Sequence, residues 1–211
     1  MKITEQISEY RLVNSPSDVV TDTTPRTISY AELFRNFKQL VNNKLILKPL
    51  QPEMAEELFE ATYESRSELY KFMSWSNESI EDAKTFISQS VIDREKGTAL
   101  KLAVFEKDTE TLVGGMFLKH IDIFTPKAEI GYWIRTSRAG CGYATNVIYT
   151  MIKFCRDKLN LVRLDACAAA NNIASQKVLL KCGFKEEGLK LKAQLCHGVW
   201  LDLKLFGLIL S

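Results

Sequence analysis

Gly140 and Gly142, one residue apart, sit between a strand signal and a helix signal. Upstream, Ala128-Glu129-Ile130-Gly131-Tyr132-Trp133-Ile134 is rich in the β-branched and aromatic residues of a strand. Downstream, Ala144, Val147, Ile148, Met151, Ile152 and Cys155 recur at three- and four-residue steps, the stripe of an amphipathic helix. The backbone must therefore turn and begin a helix within a few residues. Glycine lets the main chain come close to a ligand, and the unpaired N–H groups of a helix start favour an anion. The stretch from Ala128 to Phe154 reads as a diphosphate-binding turn, with a purely structural strand–helix connection as its rival.

Two nucleotide motifs compete for these glycines, and neither fits. A phosphate-binding loop of the nucleoside-triphosphatase type ends in Gly-Lys-Ser/Thr, which the chain lacks. A dinucleotide fingerprint needs a third glycine where Thr145 stands, and its first glycine straight off the strand. Asp165, where a ribose-binding acid would be sought, falls in the middle of an expected strand.

At 211 residues the chain is long enough for one sizeable domain. A net charge of +2 argues against a nucleic-acid binder, which needs a concentrated positive face. No apolar run approaches the roughly 20 residues of a membrane helix, and the N-terminus lacks the apolar stretch of a signal peptide. Cysteines 141, 155, 167, 182 and 196 are odd in number and widely spaced. That argues against a zinc site or disulfide framework, so no metal is expected and a reducing cytoplasm is the default.

Residues 1–44 read as an N-terminal extension, with polar turn formers at Asn14–Asp18 and Thr21–Pro25. Ser29-Tyr30-Ala31-Glu32 has the form of a capping box, with Ile28 able to pack on Leu33. Leu33, Phe34, Phe37, Leu40 and Val41 extend a helical stripe, expected to lie on the main domain. From residue 45 to 211 a single domain is expected. It opens with a strand at Leu45–Leu50, then a helix begun by Pro52 and a second capped by Ser79 and stopped at Gly97. Strands follow at Leu100–Phe105, Leu112–Ile121 and Ile130–Ile134, with Gly114-Gly115 marking a bulge or tight bend. After the central helix come a strand at Val162–Ala168 and a helix at Ile173–Cys182 closed by Gly183. Strands at Phe184–Leu191 and Trp200–Leu210 end the chain. The order predicts an α/β mixed sheet with helices on both faces.

A second motif follows the glycine turn: Asn171-Asn172-Ile173-Ala174-Ser175, then Lys177, Val178, Leu179 and Lys181-Cys182-Gly183-Phe184. With both motifs in place, residues 45 to about 209 closely resemble the GNAT superfamily of acyl-CoA-dependent N-acetyltransferases. Glu129–Ile134 and Trp200-Leu201-Asp202 are similar to the branch that acetylates ribosomal-protein N-termini. The resemblance implies a mostly antiparallel sheet with a splayed strand pair that receives acetyl-CoA. It also implies transfer to a primary amine, with a protein or peptide N-terminus as the acceptor partner. Two positions depart from the family pattern. Ala139 stands where Gln or Arg is usual, with Arg138 adjacent, and Asn146 stands where Glu is frequent.

On that resemblance, the N–H groups of Gly140, Cys141, Gly142, Tyr143, Ala144 and Thr145 hold the diphosphate, with Arg138 beside them. Trp133, Ile134 and Arg135 offer the strand edge to pantetheine, and Asn172 and Ser175 lie near the arm and the sulfur. Glu129 is the candidate base, with a solvated strand carboxylate as the alternative. Ser175 is the candidate proton donor to the thiolate, unless its hydroxyl caps the helix or bonds the cofactor. Phe72 and Trp75 resemble an aromatic wall of the acceptor pocket, with core packing as the alternative. His120 and His197 stand alone in the sequence and read as surface or hydrogen-bonded residues. Polyamines and aminoglycosides remain as other acceptors, and a non-catalytic acyl-CoA-binding module as another class.

Overall fold

The computed structural model describes residues 11–12, 29–74, 78–122 and 124–210. The expected turns at Asn14–Asp18 and Thr21–Pro25, Ile28 with its expected packing, and Trp75 lie outside the described residues. In chain order the elements are β1 (Arg11–Leu12), α1 (Tyr30–Asn36), β2 (Leu40–Val41), β3 (Leu45–Pro49), α2 (Ala55–Glu64), α3 (Arg66–Leu69) and α4 (Ile80–Lys96). The second half holds β4 (Leu100–Glu106), β5 (Leu112–Asp122), β6 (Lys127–Ile134), α5 (Tyr143–Asp157), β7 (Arg163–Ala169), α6 (Ile173–Lys181), β8 (Lys185–Cys196) and β9 (Val199–Ile209). They form a nine-stranded sheet in the order β1-β2-β3-β4-β5-β6-β7-β9-β8. β6 and β7 pair in parallel and the other neighbours pair antiparallel.

Alternation along the strands divides the apolar residues between two layers. On one side α5 (Val147, Ile148, Met151, Phe154) and Leu179 of α6 pack with Leu118, Ile130 and Leu164 of the sheet. On the other, α2 (Ala55, Leu58, Ala61) and α4 (Ala83, Ile87) pack with Ala103, Phe105 and Trp133. Ser79 and Asp82 form the expected capping box of α4, and Gly97 closes that helix in the left-handed conformation.

The helix near the N-terminus does lie on the main domain, but it is shorter than its apolar stripe. Ser29 Oγ accepts from the Glu32 N–H at 3.2 Å, and Phe34 is fully buried. Tyr30 donates its hydroxyl to Leu159 O at 3.2 Å. The helix ends at Asn36, because Phe37 turns extended and packs edge-on against Phe154 at 5.3 Å. Leu40 and Val41 are strand, not helix: they pair with Leu47 and Ile46, which gives the edge of β3 a hydrogen-bonding partner. Asn42 locks this hairpin, accepting from the Lys44 and Leu45 N–H groups and donating to Thr150 Oγ1 of α5 at 2.7 Å.

β8 runs on to Cys196 rather than stopping at Leu191. Its pairing with β9 shifts between Lys190 and Gln194, where Lys192 has φ 46° and bonds Asp202 through its N–H. The bulge absorbs the break in the apolar pattern and the strand resumes.

β6 and β7 are paired only from Lys127↔Arg163 to Ile130↔Ala166. Beyond that point β6 stays on β5 as far as Ile134↔Gly114, while β7 stays on β9 as far as Ala169↔Leu203. The sheet therefore opens into a V at its centre. The buried Gln176 holds one arm of the V by donating to the carbonyls of Ala169 and Ala170, both at 3.0 Å. The other arm depends on two glycines of β5. A Cβ at Gly114 would meet Trp133 O at 2.2 Å, and one at Gly115 would meet Trp133 Nε1 at 2.4 Å. The expected bulge is present, with the β4–β5 register shifting between Val104 and Phe105 opposite this pair.

Candidate active site

Two cavities meet at the mouth of the V. The first encloses about 490 Å³ between the end of β6, the glycine turn, the start of α5 and one face of α6. The second, about 560 Å³, lies between β5, β6, β7 and the residues following α3. Phe72, Met73, Tyr132, Asn172 and Ser175 line both.

The turn that floors the first cavity is fixed from α2. Glu64 accepts from the Arg135 guanidinium at 2.6 Å and from the Ser137 N–H at 3.2 Å, while Ser65 Oγ accepts from the Thr136 N–H at 3.0 Å. These bonds, Ser137's foremost, hold the Glu64 carboxyl below its usual range. Gly140 and Gly142 both take positive φ, 79° and 78°, and Gly142 is the N-cap of α5 with no side-chain cap. The first intrahelical bond is Asn146 N–H to Gly142 O, 3.1 Å. The N–H groups of Tyr143, Ala144 and Thr145 thus begin the helix without intrahelical acceptors, beside the cavity. Asn146 turns its side chain back to Gly142 O at 3.0 Å, so it secures the turn. Tyr143 donates its hydroxyl to Glu106, which anchors the helix start to β4. That bond keeps the Glu106 carboxyl low and pushes the Tyr143 hydroxyl up to about 12. Arg138 lines the cavity 3.8 Å from Glu106, a loosely held cation beside the turn.

Of the residues expected at the cofactor, Trp133, Ile134, Arg138, Gly140, Gly142, Tyr143, Ala144, Thr145, Asn172 and Ser175 line this cavity. Arg135 is a correction. Its N–H donates to Val113 O at 2.8 Å and its guanidinium is taken by Glu64, so neither is turned to the open edge. In an antiparallel ladder such groups alternate, so the N–H and C=O of Trp133 also face β5. The groups facing the V are those of Tyr132 and Ile134. Cys141 is exposed, with its thiol directed to Ala139 O at 3.8 Å.

Asn172, not Ser175, caps α6: its Oδ1 accepts from the Ser175 N–H at 3.1 Å. That frees the Ser175 hydroxyl, whose Oγ lies 2.9 Å from the Tyr132 hydroxyl. Burial pushes the Tyr132 phenol up to about 12, so it remains a neutral O–H at physiological pH. Tyr132 was missed as a site residue, although its alternation with Ile130 and Ile134 already placed it on the face shared with α5 and α6. Lys177 and Lys181 of α6 also line the first cavity and add cations to its wall.

Glu129 lies in the second cavity. Lys119, directly across the β5–β6 ladder, reaches its Oε1 at 3.0 Å, and His120 Nδ1 lies 3.0 Å from its Oε2. His120 is thus exposed and hydrogen-bonded, as expected, and lies beside the site, whereas the His197 ring is tilted 56° against Tyr70 with centroids 4.3 Å apart. Phe72 separates the cavities, and its carbonyl accepts from Gln194 of β8 at 3.1 Å. Cys167 lines the second cavity with its thiol pushed up, first by burial and then by the Glu129 charge. Among the described residues no group of three or more His, Cys, Asp or Glu is placed to hold a metal ion. Among them, too, no helix is long and apolar enough to cross a membrane.

A V-shaped parallel pair, a glycine-capped helix start aimed at it and a second cavity beyond define an acyl-CoA-dependent transferase. Comparison with known proteins agrees. Residues 44–185 match the acetyltransferase (GNAT) domain, and the chain belongs to this family. It is 27% identical to the uncharacterized N-acetyltransferase YoaA of Bacillus subtilis, over 82% of this chain and 97% of that protein. It is 24% identical to the ribosomal-protein-serine acetyltransferase of Escherichia coli, over 81% and 96%. Among solved structures it is similar to the microcin C7 self-immunity acetyltransferase MccE in complex with acetyl-CoA and AMP. That match has 29% identity and a TM-score of 0.75, covering 80% of this chain and 93% of that one. The chain is an acetyl-CoA-dependent N-acetyltransferase.

Proposed function

We propose that this enzyme acetylates the α-amine of a protein or peptide N-terminus in the cytoplasm. The observation that carries this reading is the second cavity, which opens where Tyr132 and Ser175 end the first and holds little negative charge. Among the described residues lining it, Glu129 is the one carboxylate, already paired with Lys119 and His120, and Lys101 adds a further cation. A polyamine or aminoglycoside brings several positive charges and needs several unpaired carboxylates to replace its water. A peptide N-terminus brings one. Neutralising an α-amine of pKa ~7.7–8.0 at pH 7 costs about 1 kcal/mol, against about 4.6 kcal/mol for a lysine near 10.4. A site with a single carboxylate suits the easier task. The kinship with a ribosomal-protein-serine acetyltransferase supports the same acceptor class.

In this reading the N–H groups of Tyr143–Thr145, with Arg138 nearby, hold the diphosphate, and the free edge of Tyr132 and Ile134 pairs with pantetheine. Glu129 serves proton removal from the amine, and the Ser175 hydroxyl, backed by Tyr132, gives a proton to the departing sulfur. Thiol release measured with a free-N-terminal peptide, spermidine and an aminoglycoside tests the acceptor. The peptide should have the highest kcat/KM; turnover confined to the polycations would refute the reading. Ser175→Ala should lower kcat by roughly 10²-fold, the scale of one acid–base group, with acetyl-CoA affinity changed far less. Equal losses in both would make Ser175 a binding residue.

A further inference from the structure

We infer that His120 is the group that takes the proton from the acceptor amine, with Glu129 orienting its ring. The inference rests on the amine-acetylation reading and assigns its proton to a residue. His120 lines the second cavity with Nδ1 3.0 Å from Glu129 Oε2. When Nδ1–H donates to the carboxylate, the ring's lone pair is left on Nε2. Lys119 holds the other oxygen, Oε1, at 3.0 Å. Both carboxylate oxygens are thus engaged, and the imidazole is the neighbouring group with a free lone pair.

The backbone is bent to make this pair. Lys119 and His120 are consecutive, so a regular strand would send them to opposite faces. Instead the β5–β6 register shifts between Lys119 and Asp122, and His120 takes φ 51°. A bulge re-aims a side chain, and a left-handed non-glycine residue is a strain that concentrates at functional sites. Here it brings both residues onto one carboxylate. The His120 side chain remains 72% exposed, which gives a captured proton a direct way into solvent.

Histidine is the side chain most often used for proton transfer of this kind. The charged and titratable groups around the pair are Lys119 beside it, Lys101 in the same cavity, and Asp165, Cys167 and Lys190 on the β7 and β8 side. The step balances as follows. His120 Nε2 takes one proton from the ammonium, and the freed nitrogen bonds to the acyl carbon. The C–S bond breaks, its electron pair leaves on sulfur, and the second amine proton reaches sulfur through Ser175. His120 then releases its proton to water. The products are the amide, the free thiol and one proton.

His120→Asn and His120→Gly test this, since both residues accept the left-handed backbone. Assayed by thiol release on a free-N-terminal peptide, His120→Asn should lower kcat by about 10²-fold or more. Its acetyl-CoA affinity should be unchanged. His120→Gly should be equally slow and regain turnover as imidazole is added, in proportion to the neutral form. Turnover of His120→Asn within about twofold of the parent, or failure of imidazole to restore His120→Gly, would overturn the assignment. Absence of thiol release by the unaltered enzyme with every amine would instead overturn the acetylation reading, and this inference with it.

Discussion

Gly142→Asp should abolish measurable acetyl-CoA binding while lowering the melting temperature by only about 2–4 °C, the effect of about 1 kcal/mol of left-handed strain. Gly142 caps α5 with φ 78°, and a Cβ there would meet only Asn146 Nδ2, at 4.0 Å. Aspartate is among the few side chains that tolerate this backbone region. The new carboxylate therefore meets no steric clash in the unliganded protein, in the cavity where the proposed reading puts the diphosphate on the N–H groups of Tyr143–Thr145. Against a bound diphosphate it is a like charge. At about 4 Å and an effective dielectric of about 20 the repulsion is roughly 4 kcal/mol, about a thousandfold in Kd. Calorimetric titration with acetyl-CoA, alongside a thermal melt, separates the two effects. Wild-type affinity in the variant would place the diphosphate elsewhere.

Gly114→Ala should show the opposite pattern, a large loss of stability. Its Cβ would meet the carbonyl oxygen of Trp133 at 2.2 Å, a backbone atom that cannot swing aside. β5 and β6 must separate locally, and overpacking of this kind costs about 3 kcal/mol or more. In a chain of this size that lowers Tm by roughly 6–12 °C. The displaced strand is the one whose Tyr132 and Ile134 border the V, so kcat should fall in the protein that remains folded. Gly188→Ala serves as the control: a Cβ there meets nothing within 4 Å and its backbone is ordinary. It should stay within about 0.5 kcal/mol of the parent. Equal melting temperatures for the Gly114 and Gly188 variants would show that the close approach of β5 to β6 does not limit stability.

The central helix and its glycine turn were legible because both signals are local. The stripe from Ala144 to Cys155 buries the predicted face of α5, and Gly142 occupies the left-handed cap. The capping box of Ser79 and Asp82 was legible for the same reason. Leu40 was not, since its spacing of three residues from Phe37 and seven from Leu33 satisfies a helix. Pairing with Leu47 and with Leu12, contacts outside the local window, makes it strand. Arg135 was misjudged because which backbone groups face β5 depends on register, and the Val113 bond that sets it spans the ladder. His120 was hidden most deeply. A lone histidine carries no spacing signal, and the bulge that turns it toward Glu129 breaks the alternation on which a sequence reading relies. Most of the residues around the first cavity were therefore identifiable from two short motifs. The second cavity, assembled from β5, β6, β7 and the residues following α3, was visible in the sequence mainly as Glu129 and Phe72.

The most direct test of the acceptor is the position of the acetyl group on a product. A peptide with a free N-terminus and an internal lysine, incubated with enzyme and acetyl-CoA, is sequenced by tandem mass spectrometry. One acetyl group on the α-nitrogen for each thiol released, with the lysine unmodified, is the predicted result. Acetylation of the lysine, or equal turnover of the same peptide with its N-terminus blocked, would contradict it.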